Sequence, residues 1–112
     1  MKVKKDAFDN LPSLTKREAL EILSTQICKL QLSSDYYKAV FHLYKYPGFD
    51  TEKALLDLLE SPRDQTCISI AKRKAIEVLA RHGCTRAIPQ IANYLRSSDP
   101  YLVENAAWAL KV

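Results

Sequence analysis

The chain has 112 residues, 47% of them hydrophobic and 27% charged, the size and balance of one small soluble globular domain. That composition excludes a disordered tail, a collagen-like fibre and a polar low-complexity segment, and no apolar run approaches the roughly 18–20 residues of a membrane helix. Lys plus Arg number 17 against 13 Asp plus Glu, a net charge of +4. This favours an anionic ligand or acidic partner but is too small and dispersed to indicate nucleic acid. Only two glycines occur, which argues against glycine-built phosphate loops and hairpin-rich β folds. Cys28, Cys67 and Cys84 have neither a paired framework nor metal spacing, and His42 and His82 form no HExxH-like pair. The basic start, Met1 to Asp6, is followed by no apolar stretch of signal-peptide length. The expected address is the cytosol or another reducing compartment.

Helical signals run the whole length. Thr15-Lys-Arg-Glu18 has the form of a capping box, and behind it Ala19, Leu20, Leu23, Ile27 and Leu30 recur at helical spacing. Leu32-Ser-Ser-Asp35 breaks and recaps the chain before a second helix over 36–46, which Pro47-Gly48 stops. A third helix over 51–60 carries Ala54, Leu55, Leu58 and Leu59 on one stripe and ends at Ser61-Pro62. After a polar stretch at 63–66, a fourth runs from about Ile68 to Arg81 and is closed by Gly83. The fifth opens near Thr85 with Ala87, Ile88, Ile91, Ala92 and Leu95. Its Pro89 lies in the first turn, where a missing N–H forfeits no bond. The sixth begins with Asp99 as N-cap and Pro100 at the first helical position.

The helices repeat. Aligning Ala39, Ala75 and Ala106 brings Leu43, Leu79 and Leu110 into register four residues on, at intervals of 36 and 31 residues. Ala54-Leu55-x-x-Leu58-Leu59 likewise matches Ala87-Ile88-x-x-Ile91-Ala92. A period in the thirties built from helix pairs predicts an all-α fold: an α-solenoid of about six helices in a right-handed superhelix. The expected repeats span roughly 14–48, 49–83 and 84–112 of a single domain, the last one incomplete. Its final helix would then expose Val103, Ala106 and Leu110, predicting self-association or a C-terminal continuation. An unrelated six-helix bundle is the competing architecture.

Gly83-Cys-Thr-Arg-Ala-Ile-Pro-Gln-Ile91, followed by Ser98-Asp-Pro-Tyr-Leu-Val-Glu-Asn-Ala-Ala-Trp-Ala-Leu110, resembles a HEAT-like repeat of the phycobilin lyase class. Tyr36-Tyr37…Ala39, Lys72-Arg-Lys-Ala-Ile-Glu-Val-Leu79 and Val103-Glu-Asn-x-x-Trp108 resemble the N-terminal part of the E/F-type lyases, most of all the phycoerythrobilin lyases that serve phycoerythrin. The resemblance covers residues 14–112, and known members are longer. It implies a protein that binds a linear tetrapyrrole, as substrate rather than cofactor, and helps attach it by a thioether to a phycobiliprotein cysteine. Some members work as paired subunits and some isomerise the bilin; others act in phycobilisome turnover or beside iron–sulfur assembly proteins without ligating bilin. The implied setting is a cyanobacterial-type cytosol or a plastid stroma.

The repeat alignment suggests where such a ligand sits. Beside the buried alanine column run Tyr37, Arg73 and Glu104, and one turn later Phe41, Glu77 and Trp108. These six are expected to form one patch across three stacked helices. Aromatic rings suit the pigment's flat pyrroles, Arg73 its propionates and Glu77 or Glu104 its N–H groups, with Lys72 and Lys74 completing a propionate clamp. Read without a ligand, the aromatics are core or inter-repeat packing, Arg73 and Glu77 a solvated ion pair and Lys72 to Lys74 a soluble face. Cys84, at a helix N-terminus, reads either as a thiolate that carries bilin transiently or as an inert buried thiol. No catalytic residue and no metal site is assigned. Two functions compete: a bilin lyase or lyase subunit, enzymatic if the chain suffices, and a non-catalytic adaptor whose concave face grips another protein. Nucleic acid is disfavoured by the interleaved acids.

Overall fold

The computed structural model describes residues 14–25, 30, 34–63 and 65–111. Six α-helices occur in order: α1 (Lys16–Leu23), α2 (Ser34–His42), α3 (Phe49–Glu60), α4 (Thr66–Arg81), α5 (Ile88–Asn93) and α6 (Pro100–Lys111). Short 3-10 turns extend α2 over Leu43–Lys45 and flank α5 at Thr85–Ala87 and Tyr94–Arg96. No strand occurs among the described residues. Ile27, Cys28 and Leu32, which the sequence reading used, lie outside them.

Local chemistry explains most boundaries. At α1 the Thr15 hydroxyl accepts from the Glu18 N–H at 3.1 Å while the Glu18 carboxylate accepts from the Thr15 N–H at 2.8 Å, the expected capping box. Pro62 pushes Ser61 into extended backbone and ends α3. Helix α4 closes in a Schellman motif: Cys84 N–H donates to the Leu79 carbonyl and Gly83 N–H to that of Ala80, both at 3.0 Å. Gly83 takes φ +67°, the left-handed conformation this turn requires. The Asp99 carboxylate caps α6 through the Tyr101 N–H at 2.9 Å, with Pro100 opening the helix.

The helices form two layers. Helix α4 packs between α2 and α6, while α3 contacts α1 and α5 on the other side; α1 pairs with α2, α3 with α4, and α5 with α6. The architecture is an all-α stack of helix pairs, as the repeat predicts. Ala39, Ala75 and Ala106 are fully buried where the layer of α2, α4 and α6 closes, because a methyl side chain lets neighbouring helices approach closely. Tyr36, Leu43, Leu55, Ile68, Ile76 and Leu79 fill the space between the layers.

Two apolar stripes depart from the expectation. Leu43 and Leu79 are fully buried, but Leu110 is 38% exposed and Ala109 turns inward in its place. Beside the short α5 a cleft of about 170 Å³ opens, with Cys84, Ile91 and Ala109 on its walls and Leu110 at its edge. Of the final helix's expected open face, Ala106 is fully buried and Val103 half-buried. In the fifth helix Ala87 and Ile91 are buried as expected, whereas Ile88 and Leu95 are exposed at 51% and 43%. The chain there passes from 3-10 to α and back, and each change of angular step rotates the stripe away from the core.

Candidate functional site

The outer surface of α4 and α6 carries a row of charge and aromatic side chains. Arg73, Glu77 and Arg81 follow one another at four-residue steps and share one face of α4. The Arg73 guanidinium carbon lies 4.7 Å from the centre of the Tyr101 ring, and Asn105 donates from Nδ2 to the Arg73 carbonyl at 3.2 Å. Two turns on, the Arg81 guanidinium carbon is 5.9 Å from the Trp108 ring and 5.8 Å from that of Tyr44. Arg81 also pairs with Glu77 at 3.1 Å. Both arginine–aromatic pairs advance together along the two helices, so α4 and α6 run in the same sense. Each arginine meets the ring about one turn earlier on α6 than the repeat register implies, a shift within reach of its long side chain.

Between these pairs lies an open cleft of about 390 Å³ lined by Glu77, Arg81, Glu104, Asn105 and Trp108. The aromatic rings that the two arginines meet are accessible: Tyr101 is 61% exposed, and Tyr44 and Trp108 are 40% exposed. Cation–π pairs of this exposure are worth about 0.5–1 kcal/mol each. That is enough to hold a guanidinium in place and little enough for a ligand to rearrange it.

Of the residues expected here, Glu77, Glu104 and Trp108 share the cleft, and Arg73 sits beside it on Tyr101. Phe41 does not present its ring to solvent: it is buried, with the Lys74 ammonium 4.3 Å above it. Burial pushes the Lys74 amine below its ordinary range, Glu77 opposing the shift and Arg73 adding to it. Tyr37 is half-buried against the core. Lys72 departs from the expected clamp: its ammonium donates to the carbonyls of Ser61 at 2.6 Å and Arg63 at 3.3 Å, tying down the end of α3. Glu77 is paired with Arg81 rather than with Arg73. Arg81, Tyr44, Tyr101 and Asn105 also belong to this surface, although the aligned columns do not include them. Arg81 continues the column of Arg73 and Glu77 by one turn.

The remaining chemistry-bearing groups have structural places. Cys84 is buried, and desolvation raises its thiol above the ordinary value, with Glu52 adding to the shift. Burial and the raised thiol favour the packing reading of Cys84 over the thiolate that a helix N-terminus alone would favour. His42 is buried against the Leu14 carbonyl at 2.6 Å. The His82 ring stacks on Tyr44 and lies 2.8 Å from that residue's carbonyl. Among the described residues no group of three His, Cys, Asp or Glu is placed to hold a metal. None of their helices is long and apolar enough to cross a membrane.

Fold and surface together define an all-α helical-repeat protein whose inter-helix face alternates arginine, aromatic and carboxylate groups. Over 81 residues the chain is 49% identical to the bilin biosynthesis protein CpeY of Synechococcus sp. (strain WH8020), covering 70% of this chain and 19% of that protein. It is 32% identical over 103 residues to the uncharacterized phycocyanin operon protein Y of Pseudanabaena tenuis (strain PCC 7409), covering 92% of this chain and 24% of that one. These matches agree with the resemblance read from the residues: the chain is similar to a protein named for bilin biosynthesis and to one named for a phycocyanin operon. It spans about a fifth to a quarter of the length of the curated relatives it matches. No protein-family profile matches it, and no solved structure does.

Proposed function

We propose that this chain holds a linear tetrapyrrole on the α4–α6 surface and assists its thioether attachment to a phycobiliprotein cysteine, as a lyase or as part of one. The observation that carries the reading is the pair of arginine–aromatic contacts, Arg73 on Tyr101 and Arg81 on Trp108, flanking a cleft that contains carboxylates. A bilin is flat, carries two propionates and offers pyrrole N–H groups. The rings of Tyr101 and Trp108 suit its π faces, the guanidinium groups of Arg73 and Arg81 its propionates, and Glu104 its N–H groups. A relative named for bilin biosynthesis supports the same ligand class.

In this reading the nucleophile belongs to the acceptor protein. The chain's own contribution is orientation, which lowers the entropic part of the barrier. The bilin is substrate, phycoerythrobilin the first choice, and the acceptor a phycoerythrin-like subunit. A second lyase subunit or another copy of the chain shares the work, in a cyanobacterial cytosol or plastid stroma.

Mixing the protein with free bilin and recording visible absorption and circular dichroism tests the proposal. A red shift with induced dichroism is expected. Arg73→Ala should weaken binding about 10-fold, the low end for a charge-assisted contact at a part-exposed site. Trp108→Ala should blunt the dichroism without loss of helix. An unchanged spectrum on mixing would refute the proposal.

A further inference from the structure

Arg81 is the most constrained charge in the cleft. Its guanidinium carbon lies 5.8 Å from the ring centre of Tyr44 and 5.9 Å from that of Trp108, and it pairs with the Glu77 carboxylate 3.1 Å away. The Glu77 side chain keeps 22% of its exposure and that of Arg81 41%, so both line the cleft without being sealed in it. A carboxylate already holds Nη2 of Arg81, one of the donors that a ligand carboxylate would use. Resting on the tetrapyrrole reading above, we infer that Glu77 is a resident competitor for Arg81, which the propionate of an incoming dicarboxylate ligand displaces. The consequence is selectivity: an acid regains at Arg81 the interaction that Glu77 gives up, whereas an uncharged ester does not.

Displacement does not strand the glutamate. Lys74, three residues earlier on the same helix, already interacts electrostatically with Glu77, and residues at that spacing are neighbours on a helix surface. Glu77 therefore exchanges one cation for another, while the ligand gains a guanidinium that its two neighbouring rings keep oriented. Ion pairs of this exposure are weak enough to be exchanged in this way.

The test titrates the full chain with biliverdin, a linear tetrapyrrole dicarboxylate, and with its dimethyl ester, following the visible spectrum. Glu77→Gln keeps the side-chain shape and removes the competing charge. It should tighten binding of the acid about three- to five-fold, the range of a part-exposed ion pair, and leave the ester unchanged. Glu77→Asp, with a shorter reach to Arg81, should move the same way by less. Arg81→Gln should weaken the acid, and adding Glu77→Gln to it should give no further gain. If Glu77→Gln leaves acid binding unchanged or weakens it, the competitor inference fails while the tetrapyrrole reading stands on wild-type binding. If the wild type binds neither compound, both fall together.

Discussion

Replacing Ala75 by leucine probes the feature on which the stack depends. Ala39, Ala75 and Ala106 have no exposed surface, and α4 is flanked by α2 on one side and α6 on the other. Leucine is nearly as good a helix former as alanine, so the helix itself loses little. The three added carbons must instead fit where the neighbouring helix already lies, and overpacking of this kind costs about 1–3 kcal/mol. At roughly 4–8 °C per kcal/mol for a domain near this size, the melting temperature should fall by about 5–20 °C. Ala54→Leu is the control: Ala54 is half-buried and faces an open cleft of about 260 Å³ between α1 and α3, so the same atoms have room there. Thermal melts followed by far-ultraviolet circular dichroism compare the two. Equal melting temperatures for wild type and Ala75→Leu, or an equal fall in both variants, would refute the view that this column sets the helix spacing.

Gly83→Ala should lower stability by about 1–2 kcal/mol, the cost of a left-handed L-residue. An added Cβ meets nothing within 4 Å, so Gly83→Asn, which tolerates that conformation better, should recover part of the loss in a denaturant titration. The hydrogen bond from the Thr15 N–H, the largest cause, and that from its hydroxyl group hold the Glu18 carboxyl below its ordinary range. The folded state therefore binds that proton less readily than the unfolded chain, and the stabilisation is complete above the ordinary carboxylate range. It is lost as pH falls through the depressed value, so Glu18→Gln should flatten part of the acid limb of a stability–pH profile. A profile identical to wild type would show that the capping box carries no linkage.

Helix identity was legible because its causes are local. The Thr15–Glu18 box, the Ser61-Pro62 stop, the Gly83 closure and the Asp99-Pro100 start are each decided within a few residues of chain, and each appears where the sequence places it. The alanine register was legible for a related reason: a recurring small residue at fixed spacing is what close helix approach demands. Tertiary structure decided what depends on rotation, reach and slide between helices. It turned Leu110, Ile88 and Leu95 outward, sent Lys72 to the end of α3, and set Arg73 on Tyr101 and Arg81 on Trp108, one turn from the partners that the register implies. Long, flexible arginine and lysine side chains choose partners over a radius of more than one helical turn. Spacing along the chain places them on the right face, and only the packed neighbours select which ring or carbonyl each one meets.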